Sequence, residues 1–121
     1  MIIKFLPLVF LLLSCTKEVK YTKDQLVDMI KQHDSKATVV LPKTINDGIQ
    51  CSDYSEGCLS GHTINILNLE MIAVEFEFEE QAHFAARKYN GLYLHNWLLD
   101  DVIGEPKLER FFMENLKAKK P

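Results

Sequence analysis

Ile72, Val74, Phe76 and Phe78 alternate with Ala73, Glu75 and Glu77. Period-two patterning of this kind belongs to a β-strand with one apolar face and one more polar face. The chain therefore needs a sheet and something to cover that sheet's apolar side. Helical segments supply the cover. Thr22-Lys23-Asp24-Gln25 has the form of a capping box, and Leu26, Met29, Ile30 and His33 then share one helical face, with His33 placed to complement the dipole at the helix end. Glu79–Asn90 carries Ala82, Ala85, Ala86 and Tyr89 at helical spacing, and Asn90-Gly91 ends it in a left-handed cap. Pro106 suits the first turn of a last helix bearing Leu108, Phe111, Phe112 and Leu116, and Lys117, Lys119 and Lys120 read as a frayed, solvated end.

Further strands are predicted at Thr38–Leu41, stopped by Pro42, at Thr63–Leu69 and at Leu92–Leu99, with a short leading strand at Glu18–Tyr21 left open. The order is helix, strand, long loop, strand, helix, strand, helix, with the short leading strand optional. It predicts an α+β fold, a small antiparallel sheet with helices packed on one face. At 121 residues the chain has room for a single domain. No internal repeat or low-complexity segment divides it. The net charge of −3 and pI near 5.8 give no basic footprint for nucleic acid.

Residues 1–14, MIIKFLPLVFLLLS, place Lys4 and the amino terminus before the apolar run Phe5–Leu13, with Cys15 following Ser14. This is the layout of a secretory signal, and the run is too short to span a bilayer core of about 30 Å. Leu12-Leu13-Ser14-Cys15 resembles the lipobox of bacterial lipoproteins. That resemblance implies cleavage before Cys15, acylation of its thiol and usually its new amine, and a lipid-anchored protein of the cell envelope. Thr16 lacks the aspartate that in many diderm lipoproteins signals inner-membrane retention, so the outer membrane is the expected destination in a diderm. Without residues 1–14, Lys and Arg fall from 14 to 13 while Asp and Glu stay at 17, and the mature chain carries −4. Residues 15–21 then form a lipidated tether and 22–121 the domain.

Cys51 and Cys58 remain as a pair in an oxidising compartment, where a disulfide is the default. It closes the eight residues CSDYSEGC, for which chain entropy gives about 2.5 kcal/mol. The alternative is a metal site, with Cys51, Cys58 and His62 as three ligands near Asp53 and Glu56; the spacing fits no known finger, and an oxidised pair supplies no thiolates. Residues 42–62 lack periodicity and form a long loop of the kind that is often functional. A staple across its tip is expected to keep Tyr54 presented. Asp53, Tyr54 and Glu56 are thus candidates for contact with a protein partner.

Val74–Gly91, VEFEFEEQAHFAARKYNG, resembles the third strand and second helix of the RNA-recognition-motif fold, which implies a ferredoxin-like, split β-α-β arrangement. Leu69–Phe76, LEMIAVEF, occupies the place of that family's nucleic-acid-binding octamer. Met71 and Ala73 stand where rings should stack, and Glu75 faces the same way, so nucleic-acid binding is not carried over.

Strand alternation puts Tyr93, His95 and Trp97 on one face as a second candidate partner or ligand patch. His62, His83 and His95 with Glu75, Glu77, Asp100 or Asp101 are the available acid–base groups. No motif fixes a nucleophile, a base and an orienting group together, and no cofactor-binding motif is present. The function expected from the sequence is a lipid-anchored envelope protein that binds another envelope or extracellular protein as an inhibitor, exclusion or assembly factor. The alternative is metal or small-ligand binding around Cys51, Cys58 and His62.

Overall fold

A computed structural model describes residues 18–121. The leader and Cys15 lie outside the described residues. Elements follow in the order α1 (Lys23–Lys31), β1 (Thr38–Val40), β2 (Cys58–Ile66), β3 (Leu69–Phe76), α2 (Glu79–Tyr89), β4 (Leu92–Leu94), β5 (Trp97–Asp100) and α3 (Pro106–Arg110), which runs on as a π-helical turn over Phe111–Asn115. The strands form one antiparallel sheet in the order β1-β2-β3-β5-β4. The α+β expectation holds. β3 and β4 are both antiparallel to β5, hence parallel to each other with β5 between them, so β3-α2-β4 is a split β-α-β unit; β1 and β2 extend the sheet beyond β3.

Helices cover both faces of the sheet, not one. On β3, Met71 and Ala73 enter a core with Leu26 and Ile30 of α1, Trp97 and Leu99 of β5, and Phe111 and Phe112. Val74 and Phe76 enter a second core with Leu98 and with Ala82, Ala85 and Ala86 of α2. All four β3 side chains are fully buried. Between Met71 and Phe76 the one charged residue is Glu75, at the position paired with Trp97. The helix-facing alanines let α2 approach the sheet closely, while the larger residues fill the other side.

Local signals hold where they are self-contained. Thr22 accepts from the Gln25 amide N–H at 3.1 Å, and the Gln25 side chain accepts from the Thr22 N–H at 2.8 Å. Asn90 ends α2 at φ 58°. Other boundaries shift. β2 begins at Cys58, so the loop is shorter than 42–62, and it contains two short 3-10 turns. β2 and β3 meet through Leu67-Asn68, both at positive φ, in a type I′ hairpin closed by the Ile66–Leu69 pair. The predicted strand Leu92–Leu99 is two strands folded about His95-Asn96, with His95 at φ 50°. Glu18–Tyr21 forms no strand. The carboxyl-terminal segment is not wholly frayed: Ala118 is buried, and Tyr93 and Lys119 exchange two 2.9 Å backbone hydrogen bonds along the outer edge of β4.

Candidate functional site

The disulfide loop is folded back onto the domain. Cys51 and Cys58 are joined, with Cα atoms 5.5 Å apart. The two sulfurs therefore offer no thiolates, and among the described residues no group of three or more His, Cys, Asp or Glu side chains is placed to hold a metal. Tyr54 is half-buried instead of being presented free of the domain as expected. Its hydroxyl donates to Asp100 Oδ2 at 2.8 Å, its ring meets Tyr89 edge-on at 5.1 Å, and it packs against the α2-side core. Burial, with the Asp100 carboxylate accepting its proton, pushes the Tyr54 phenol well above its ordinary range. Asp53 and Glu56 stay exposed on either side of it.

Close backbone contact explains how so polar a loop settles. The Glu77 N–H donates to the Gly57 carbonyl at 3.0 Å, and Gly57, at φ 94°, leaves space that the Gln81 side chain fills. Gly61 serves the other half of the loop. A Cβ there would sit 2.3 Å from Ile49 Cγ2, so only glycine lets Ile49 lie on β2.

Tyr93, His95 and Trp97 do not share a face. The turn at His95-Asn96 breaks the alternation: Trp97 is buried in the larger core, and Tyr93 packs on the α2 side, stacked with His83 at 4.4 Å. His95 Nδ1 lies 3.1 Å from Glu79 Oε1, both side chains being over a third exposed. Asn96 is the buried polar residue at this corner. Its side chain accepts from the Tyr21 N–H at 2.8 Å and donates to the carbonyls of Tyr21 and Phe76, while the Trp97 indole donates to the same Tyr21 carbonyl at 2.8 Å.

His62, Ser60 and Glu75 do converge. Ser60 donates to Glu75 Oε1 at 3.0 Å, and His62 Nε2 lies 3.2 Å from Ser60 Oγ. The serine has one proton, and Glu75 takes it, so the histidine contact requires an Nε2–H donor. His62 is then a donor to Ser60 and not its base, the reverse of a nucleophile–base pair. Burial and the nearby Lys23 charge hold His62 below its ordinary pKa, with Glu75 opposing. The adjacent cleft, about 120 Å³, is lined by Lys23, Val39, Pro42, Ile49, Gly61 and His62 among others. It is smaller than an ordinary small-molecule site of ~300 Å³ or more.

Two exposed apolar residues, Val40 at the end of β1 and Leu41, line that cleft; Leu41 is 79% exposed, and Ile45, further along the same connection, is 88% exposed. Leu41 ends the strand predicted at Thr38–Leu41 and Ile45 falls in the aperiodic stretch after Pro42, so nothing local marks either as exposed. Among the described residues, no strand pairs with the outer edge of β1, whereas the outer edge of β4 is closed by Lys119. No helix among those residues is long and apolar enough to cross a membrane. No protein-family model, curated protein or solved structure matches the chain.

Proposed function

We propose that this chain is a lipid-anchored cell-envelope protein whose domain binds another envelope polypeptide in extended form along β1. The lipobox resemblance at Leu12–Cys15 supports the anchor. The observation that carries the binding role is the unequal treatment of the two sheet edges. β4 pairs along its outer edge with the chain's own carboxyl-terminal segment, while among the described residues no strand pairs with the outer edge of Thr38–Val40, which runs into solvent-exposed Leu41. An unpaired strand edge is a template for a further strand, and apolar side chains beside it give such an addition its selectivity. Pro42 limits the open edge to a few residues, which suits one docked segment better than open-ended sheet growth.

The partner-binding surface thus moves from the loop tip at Asp53, Tyr54 and Glu56 to the approach at Val40–Ile45. The test is photo-crosslinking in intact cells from a probe at position 45. A discrete adduct with another envelope protein, lost on Leu41→Asp in a chain that still folds, is the expected result. An adduct of the chain with a second copy of itself, or one unaffected by Leu41→Asp, overturns the reading.

A further inference from the structure

The amino-terminal end of α2 lies close to the first described residues of the chain. Glu18, the first described residue, accepts from the Glu79 N–H at 3.0 Å, at the start of α2. Lys20 Nζ sits 4.4 Å from the centre of the Phe78 ring. Phe78 and Phe84 are exposed to 42% and 49%, and Val19 beside the tether to 51%. The remaining phenylalanines among the described residues, Phe76, Phe111 and Phe112, are buried.

We infer that the exposed side of α2 and the N-cap that precedes it, with Phe84 on the helix and Phe78 at the cap as apolar points, rest on the bilayer that holds the anchor. This rests on the reading of Cys15 as the acylated amino terminus. Thr16 and Lys17 alone separate Cys15 from Glu18, and at ~3.6 Å per residue the Cys15 Cα lies within about 11 Å of that of Glu18. The acyl chains therefore enter the membrane within reach of Phe78. Arg87, whose guanidinium lies 6.0 Å from the Phe84 ring centre, and Lys88 add cations at the far end of the helix. Glu77 and Glu80 offset them at the near end, so charge does not hold this face down. The acyl anchor supplies the affinity, and the two rings select which side of a tumbling domain turns toward the lipid. Lying flat on α2 keeps the β1 edge at the flank of the domain, clear of the membrane.

The test uses the mature protein purified from membranes, weighed intact, and reconstituted in vesicles of phosphatidylethanolamine and phosphatidylglycerol brominated high on their acyl chains. Trp97 is fully buried and gives a protected background. A Phe84→Trp variant is compared with Glu114→Trp, which places its probe on the exposed helical turn over the opposite face. Severalfold stronger bromine quenching for Phe84→Trp supports the inference. Equal or absent quenching in a chain whose mass shows acylated Cys15 overturns it while leaving the anchor intact. Shielding of the Phe84→Trp probe only when a protein co-purifies assigns the face to that protein and overturns it too. An unacylated mass removes the anchor, and the orientation falls with it.

Discussion

The Tyr54 hydroxyl donates to the Asp100 carboxylate at 2.8 Å, joining a six-residue stretch between two cysteines to a strand 46 positions further along the chain. This contact turns a stapled loop into part of the domain surface. Tyr54→Phe keeps the ring packing on Tyr89 and removes the bond, leaving Asp100 to water. Unfolding in urea is expected to show a loss of about 1–2 kcal/mol. The raised phenol pKa sets the sign of the alkaline effect. The unfolded chain releases this proton near pH 10 and the folded chain holds it, so the contribution is present below that pH and lost above it. Tyr54→Phe is expected to flatten the fall in stability above pH 10.

The disulfide and the Tyr54 contact hold the same loop independently. Cys51→Ser with Cys58→Ser is therefore expected to lower stability by about 2.5 kcal/mol without releasing Tyr54. Near-ultraviolet circular dichroism and a tyrosine titration check the second half of the expectation. An ordinary Tyr54 pKa in the double variant would show that the staple, and not the docking, positions the ring.

The parts of this fold written in neighbouring residues were legible in the sequence. Thr22 and Gln25 cap each other across three positions, and Asn90 adopts the left-handed conformation that ends α2. The central alternation found β3, but its buried second face depended on Trp97 and Leu99 from β5, which no local pattern reveals. The β4–β5 turn had left a trace. Leu92 and Leu94 keep one phase, Trp97 and Leu99 keep the other, and the slip falls at His95-Asn96. Leu67 gave no such warning, because leucine is an unusual residue for positive φ, and the Asp34 carboxylate that accepts its N–H at 2.8 Å comes from another element. Of the candidate site, the cysteine pairing was legible once the leader was taken to send the chain to an oxidising compartment, which left Cys51 and Cys58 as a pair. The docking of half-buried Tyr54 on Tyr89 and Asp100 and the exposure of Leu41 and Ile45 are tertiary facts.

His62 predicts an acid-sensitive domain. Its folded pKa is held below the ordinary 6.5, chiefly by burial and then by Lys23. The unfolded chain therefore binds the proton first as pH falls, and stability declines below about pH 6.5 until the folded histidine also protonates. His62→Gln keeps a donor for Ser60 and cannot titrate. Its midpoint of urea unfolding is expected to fall less than that of the parent between pH 7 and about pH 5. A parallel decline in both proteins would place the acid sensitivity in the carboxylates instead.

Asn96 tests how the amino-terminal segment is fixed to the sheet. Its side chain satisfies both the N–H and the carbonyl of Tyr21, and it is 2% exposed. Asn96→Ala strands the Tyr21 N–H and leaves a small void, while the Trp97 indole still holds the Tyr21 carbonyl. The expected cost is about 2 kcal/mol, and its distribution matters more than its size. Hydrogen exchange should rise at Tyr21 and through the first turn of α1, with β3 and α2 close to the parent. The tether would then leave the domain from a looser point. In the bromine-quenching experiment, Asn96→Ala should weaken the contrast between the Phe84→Trp and Glu114→Trp probes without detaching the protein. Contrast equal to the parent's, alongside the faster exchange at Tyr21, would show that the exposed rings orient the domain without help from the fixed tether.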